Sequence, residues 1–104
     1  MIENFKKYLK DINESISSVL KDSNVYLFGS AIEGNLVAAS DIDILIIADV
    51  PKSHLKRAEI TAKIEEKAGL PLVHPFEFHI LTKKELETWK NIYNLKFEKI
   101  SSYL

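Results

Sequence analysis

The sequence predicts an α/β fold, with a small mixed sheet of three strands flanked by helices. Apolar residues recur at helical spacing in three segments, and short apolar runs lie between them, in the order helix, strand, strand, helix, strand, helix. The connection from the second strand through a helix to the third strand is a βαβ crossover, which makes those two strands parallel. Because the chain has no repeat and no linker-like stretch, we treat residues 1–104 as a single domain.

The first half of the chain supplies one helix and two strands. Residues 2–22 are predicted to form an amphipathic helix, because their apolar side chains recur three or four positions apart. A short apolar strand over 25–28 ends at Gly29, and a loop over 30–39 leads into the strand at 41–48. One face of that strand carries Ile42, Ile44, Ile46 and Ala48, and the other carries Leu45 and Ile47 beyond two aspartates. A strand that is apolar on both faces is predicted to be central and covered on two sides.

The second half supplies a helix, a strand and a last helix. Residues 51–68 are predicted to be helical and to stop at Gly69, and 75–81 form the third strand. A capping-box pattern at 82–85 opens the last helix, which we predict over 83–104. Its apolar stripe consists of Leu86, Trp89, Tyr93, Phe97, Ile100 and Leu104. Two interpretations of the stripe stay open: it belongs to the core, or it binds a second copy of the chain or another protein.

Composition excludes several classes of function. The net charge of −1 gives no overall basic surface for nucleic acid, so we expect no nucleic-acid partner. Without cysteine there is no disulfide, thiolate metal site or thiol nucleophile. The N-terminus lacks the apolar region of a signal peptide, and no apolar run approaches 18 residues. We therefore expect a cytoplasmic protein without a membrane partner.

The pattern that indicates chemistry is a Gly-Ser pair followed, after a spacer, by two aspartates that begin an apolar run. Gly29-Ser30 can present backbone N–H groups and a hydroxyl to a phosphate. Asp41 and Asp43 lie on one face of a strand, roughly 6.5–7 Å apart at the backbone. Their side chains can share two divalent cations about 3.5–4 Å apart. The simpler alternative is a strand with a solvated start, but aspartate is depleted in strands, so we favour the metal site.

The predicted topology brings further residues to the same place. Parallel strands begin at one edge of a sheet, so Glu77 should lie close to Asp41 and Asp43. If the first strand is antiparallel to the second, Gly29-Ser30 reaches that edge as well. The alternative for Glu77 is the water-facing side of an edge strand. His79 shares the face of Glu77, and we interpret it as a neighbour of the site and not as a ligand, because Mg²⁺ prefers oxygen.

These residues resemble the motif of the minimal nucleotidyltransferases of the DNA polymerase beta-type superfamily. That motif is a hydrophobic residue with Gly-Gly or Gly-Ser, about ten residues, and then Asp-hydrophobic-Asp/Glu-hydrophobic, which here is Phe28-Gly29-Ser30 followed by Asp41-Ile42-Asp43-Ile44. Gly34 stands where the family often has a second glycine, whereas Glu33 stands where it often has arginine. The resemblance covers residues 24–82 and implies the polymerase beta-like fold.

The resemblance also implies an activity: transfer of a nucleoside monophosphate, AMP from ATP, to an acceptor hydroxyl. It implies two Mg²⁺ ions held by Asp41, Asp43 and Glu77, which are the expected catalytic residues. It further implies that Gly29, Ser30 and Ser40 bind the phosphates, although Ser40 alternatively only fixes the loop before the strand.

The resemblance also suggests a partner. Minimal members are often paired with a small helical HEPN-type ribonuclease toxin, which they adenylylate as its antitoxin, and we expect no room here for a separate acceptor module. Two alternatives stay open. One is a non-catalytic antitoxin or binding subunit with a regulatory or vestigial nucleotide site. The other is an RNA or antibiotic nucleotidyltransferase, which the length and the lack of a basic patch disfavour.

Overall fold

The computed structural model of the protein describes residues 5–28, 42–92 and 97–104. Its elements are α1 (Phe5–Val19), β1 (Asn24–Phe28), β2 (Ile42–Ile47), α2 (His54–Lys67), β3 (Phe76–Leu81), α3 (Lys83–Ile92) and β4 (Phe97–Lys99), followed by a 3₁₀ helix (Ile100–Tyr103). The first six elements occur in the predicted order. Their ends differ by a few residues from the predicted ends, except for the last helix, and residues 1–4 lie outside the described part.

The strands form a mixed sheet in the order β3-β2-β1-β4. β2 and β3 are parallel, as the crossover through α2 predicts, and β1 is antiparallel to β2. β4 pairs antiparallel with the other side of β1, so the sheet has four strands and the prediction of three is wrong. The α/β class with helices on the sheet faces is confirmed.

The last helix is the main error of the sequence prediction, because α3 ends at Ile92 and not at 104. Phe97 and Ile100, placed on one helical stripe by the sequence pattern, lie on opposite sides of the sheet. Phe97 packs beside α3 against the rings of Tyr26 and Phe28, whereas Ile100 is buried in the core on the α1 side. One continuous helix cannot place side chains on both faces of a sheet. A short strand on the free edge of β1 that continues into a 3₁₀ helix can, because β4 holds Phe97 on one face and the following turn brings Ile100 to the other.

Two hydrophobic clusters lie on the two faces of the sheet. On one face, α1 and α2 cover the larger cluster, which includes Ile42, Ile44, Ile46 and Ala48 as predicted. The buried hydroxyl of Ser15 in α1 donates a hydrogen bond of 2.8 Å to the carbonyl of Ile64 in α2 and joins these helices. On the other face, α3 covers a smaller cluster that includes Leu45 and Ile47. β2 is thus covered on both sides, as its sequence indicates.

The helix ends have recognisable sequence causes. Ser53 caps α2 by accepting a hydrogen bond from the backbone N–H of Lys56, and Gly69 follows the helix with a φ of 67°, a conformation that favours glycine. The predicted capping box of α3 is confirmed, since Thr82 and Glu85 exchange side-chain to backbone hydrogen bonds of 2.9 and 3.2 Å. Within the described residues no helix is long and apolar enough to cross a membrane.

Candidate active site

Two carboxylates lie side by side at one end of the sheet. In the register of the parallel pair, Asp43 of β2 is the direct partner of Glu77 of β3. Alternation along the strands places both on the α3 face, with Asp43 before Leu45 and Glu77 before His79 and Leu81. The convergence expected from the βαβ crossover is therefore present for Asp43 and Glu77.

His79 joins the two carboxylates. Its Nε2 lies 3.3 Å from Oδ1 of Asp43 and 3.9 Å from Oε1 of Glu77. One ligand-type atom from each of the three side chains lies within 4.8 Å of the others, which is close enough to surround one metal ion. We call Asp43, Glu77 and His79 the acidic cluster.

The acidic cluster is sheltered on one side and open to solvent on the other. The side chains of Asp43 and His79 are 24% and 25% exposed, whereas that of Glu77 is 57% exposed. Among the described residues the side chain that faces both carboxylates is His79, which makes a hydrogen bond with Asp43, and no lysine or arginine pairs with either. Two adjacent carboxylates repel each other, and a bound cation relieves that repulsion.

Aromatic rings pack against His79 of the acidic cluster. The imidazole of His79 contacts the ring of Phe28 at a centroid distance of 5.2 Å and that of Trp89 at 5.6 Å. Phe28 and Trp89 in turn meet edge to face at 6.0 Å. Phe28 is also the cross-strand partner of Asp43, so the end of β1 lies beside the cluster. Packing between these rings restricts the orientation of the imidazole.

Several predicted site residues fall outside the described part of the chain: Gly29, Ser30, Ser40 and Asp41, together with Glu33 and Gly34. Their predicted roles stay predictions. Phe28 and Ile42 are the last and first described residues on either side of this segment. Both belong to strand ends next to the acidic cluster, since Phe28 pairs with Asp43 and Ile42 pairs with Phe76.

The sequence argument interpreted His79 as a neighbour of the site, because residues two apart on a strand share a face and Glu77 was a candidate, but it missed the support from Trp89. No comparable signal existed for Trp89. Its contact with His79 depends on how α3 packs across the sheet, which the order of elements alone does not determine.

A groove of about 520 Å³ runs along the outer edge of β3 and reaches the acidic cluster at His79. Arg57 lines it but is held by the protein itself: its guanidinium donates to the carbonyls of Pro51 and Ile80 and pairs with Glu85 at 2.8 Å. The hydrogen bond from Arg57 and the backbone N–H of Thr82 lower the pKa of Glu85 from 4.5 to about 2. Arg57 therefore fixes α2 and α3 to the edge of β3 and is already paired.

Comparisons with known proteins show which proteins this chain is similar to. A family model described as a nucleotidyltransferase domain matches residues 2–102. Over 70 residues the chain is 31% identical to spectinomycin 9-adenylyltransferases of Staphylococcus aureus strains Mu50 and N315. That alignment covers 64% of this chain and only 27% of theirs, so the chain matches about a quarter of the length of these relatives.

Two crystal structures have similar folds. One, of a candidate nucleotidyltransferase, is 37% identical with a TM-score of 0.65 and is aligned over 86% of this chain and 94% of its own. The other, of a candidate nucleotidyltransferase from Sulfolobus solfataricus, is 24% identical with a TM-score of 0.60, over 80% of this chain and 71% of its own. The second likeness concerns the fold alone.

Proposed function

Because the chain belongs to the nucleotidyltransferase domain family, we propose that it transfers AMP from ATP to an acceptor hydroxyl. In this reaction a bond forms between the acceptor oxygen and the α-phosphorus, and the α–β phosphoanhydride bond breaks. Pyrophosphate leaves, and the acceptor loses its proton. We propose that the reaction takes place in the cytoplasm, where ATP is abundant.

The observation that carries this proposal is the pairing of Asp43 with Glu77 at the end of β1. Two carboxylates in register, without a lysine or arginine partner among the described residues, form a site of negative charge. A divalent cation that accompanies a triphosphate supplies the opposite charge. The family match over residues 2–102 supports nucleotidyl transfer as the chemistry of this site.

The donor set fits Mg²⁺. In octahedral coordination at 2.0–2.1 Å, ligand oxygens lie about 3 Å apart when adjacent and about 4.2 Å apart when opposite. The atoms of the acidic cluster lie within 4.8 Å of one another, and the exposed side chain of Glu77 is able to close the remaining gap. Asp43 and Glu77, together with Asp41, would hold Mg²⁺, which on binding neutralises charge on the triphosphate and lowers the pKa of the acceptor hydroxyl.

The residues of the chain then have distinct tasks. Asp43 is partly sheltered and fixed in the sheet, so it can orient the bound nucleotide through the cation. Glu77 is exposed enough to meet an acceptor and to take its proton. Gly29 and Ser30, with Ser40, would bind the phosphates through backbone N–H groups and hydroxyls.

For the acceptor we propose a hydroxyl on a partner protein, of the HEPN type that the resemblance to minimal nucleotidyltransferases implies. Transfer to that partner would make this chain the antitoxin of a pair. Spectinomycin is the competing acceptor, because the curated relatives that match 64% of this chain are named for it. A non-catalytic antitoxin would bind the same partner without transferring a nucleotide.

One assay separates these acceptors. The purified protein is incubated with Mg²⁺ and ATP labelled at the α-phosphate, and either a purified HEPN-type protein or spectinomycin is added. We expect label on the partner protein, with loss of transfer in Asp43→Asn and retention in the matched control Asp49→Asn, an exposed aspartate beyond the other end of β2. Label on spectinomycin would show that spectinomycin, and not a partner protein, is the acceptor. Partner binding without label in any arm would contradict the proposed activity.

A further inference from the structure

The acidic cluster contains a nitrogen atom that can act as a metal ligand and that the proposed transfer does not use. Nε2 of His79 lies 3.3 Å from Oδ1 of Asp43, and within the described residues no other imidazole belongs to the cluster. Mg²⁺ is a hard cation that prefers oxygen ligands, so an imidazole beside two carboxylates adds little to its binding. The same imidazole adds a strong ligand for a softer cation.

The nitrogen is held in place. The rings of Phe28 and Trp89 contact the imidazole at 5.2 and 5.6 Å, and its side chain is 25% exposed, so its position is set by packing more than by solvent. A ligand that is already oriented loses less conformational entropy when a cation binds.

The distances suit a tetrahedral cation. Zn²⁺ binds histidine nitrogen and carboxylate oxygen at 2.0–2.2 Å, which places neighbouring ligand atoms about 3.3–3.5 Å apart. Nε2 of His79 and Oδ1 of Asp43 are already 3.3 Å apart, in a hydrogen bond that the cation would replace, and the 3.9 Å to Glu77 shortens by rotation of an exposed side chain. Three protein ligands with a fourth position open to solvent are typical of accessible zinc sites.

We propose that Asp43, Glu77 and His79 bind a borderline-soft divalent cation such as Zn²⁺ or Co²⁺ more tightly than they bind Mg²⁺. Such a cation occupies the two carboxylates that the transfer reaction needs, so it inhibits transfer. The inhibitory part rests on the proposed function, whereas the binding part stands on the geometry of the cluster.

The binding test uses the untagged, chelator-treated full chain without nucleotide. Zn²⁺ and Mg²⁺ are titrated separately by calorimetry, with Zn²⁺ expected to bind more tightly, and Co²⁺ is followed by the visible absorption of a four-coordinate complex. We expect one ion per chain and an affinity at least about tenfold weaker in His79→Gln, since even outer-shell partners of a metal contribute that much. The matched control is His54→Gln, an exposed histidine at the start of α2, which should bind as the wild type does.

A second variant covers the case in which His79→Gln fails to fold. Glu77 is 57% exposed, so Glu77→Gln should keep the fold and weaken Zn²⁺ binding. Equal Zn²⁺ affinity in the wild type and in either folded variant would overturn the inference, as would binding that His54→Gln abolishes.

The inhibitory test adds Zn²⁺ to the Mg²⁺-dependent transfer assay, where the wild type should be inhibited at lower Zn²⁺ concentration than His79→Gln. Transfer that proceeds while His79-dependent Zn²⁺ binding is absent overturns this inference alone. His79-dependent binding without any transfer overturns the proposed function and leaves the cation site established.

Discussion

At the scale of single residues, two glutamates near β3 show how the environment assigns different roles to one side-chain type. Glu85 receives hydrogen bonds from Arg57 and from the backbone of Thr82, which lower its pKa to about 2 and tie it to the fold. Glu77 lies beside Asp43, has Nε2 of His79 at 3.9 Å from its carboxylate and is more than half exposed. The first glutamate serves stability, and the second is available for a ligand.

We expect Glu77→Gln to lower the rate of nucleotidyl transfer by at least about a hundredfold, the usual scale for a positioned proton acceptor or ligand. The fold should be unaffected, because the side chain is 57% exposed. Steady-state transfer from labelled ATP gives the rate, and circular dichroism gives the fold. Glu87→Gln, at an exposed position of α3, is the control. A rate within a few-fold of the wild type would show that Glu77 is neither the proton acceptor nor the third carboxylate.

At the scale of elements, α2 and α3 are joined across the outer edge of β3 by the pair Arg57–Glu85. An edge strand exposes unpaired backbone groups, and the guanidinium of Arg57 satisfies one of them by donating to the carbonyl of Ile80 at 3.0 Å. This contact holds the strand that carries Glu77 and His79.

The pair predicts a pH dependence of stability with a definite sign. Glu85 has a pKa of about 2 in the folded chain against 4.5 in the unfolded chain, so it stabilises the fold above pH 4.5, and that contribution is lost as the pH falls from 4.5 to 2. Because the carboxylate is partly exposed, solvent screening limits the effect to about 1 kcal/mol. Urea unfolding should show Glu85→Gln less stable than the wild type at pH 7, with a smaller difference at pH 3. A difference that is constant with pH would show that charge is not the cause.

The burial of Ile100 beyond the end of α3 can be tested by mutation. Ile100 is 3% exposed and lies under α1, so Ile100→Ala should lower the free energy of unfolding by about 2–4 kcal/mol. Lys99→Ala, at the exposed neighbouring position, should change it by less than about 0.5 kcal/mol. If residues 83–104 formed one surface helix instead, the two substitutions would have similar small effects in urea unfolding.

At the scale of the whole molecule, the two faces of the sheet differ in the size of their core and in whether they contain the candidate site. The α1–α2 face contains the larger core, and the α3 face contains a smaller core with the acidic cluster at its open end. The expectation of an oligomer or partner contact through one stripe on helix 83–104 loses its basis. Trp89 and Phe97 pack on the smaller cluster from different elements, and Tyr93 lies outside the described residues.

The sequence predicted much of this arrangement because the decisive signals were local. Alternation in β2 gave both of its faces, and the βαβ crossover gave the juxtaposition of Asp43 with Glu77. The end of α3 was not predictable in this way. Phe97 and Ile100 fit a helical stripe as well as a strand, and only the free edge of β1 decides between them. The contact of His79 with Trp89 likewise depends on tertiary packing across strands and helix.

The most direct test of the central claim is calorimetry of Mg²⁺ with a non-hydrolysable α,β-methylene analogue of ATP, which measures binding without transfer. We predict that the wild type and Asp49→Asn bind the complex with equal affinity. Asp43→Asn should keep its fold and lose binding by at least about tenfold, because our proposal makes the removed carboxylate a ligand of the cation. Unchanged affinity of Asp43→Asn for the Mg²⁺–nucleotide complex would contradict the assignment of this sheet edge as the nucleotide site.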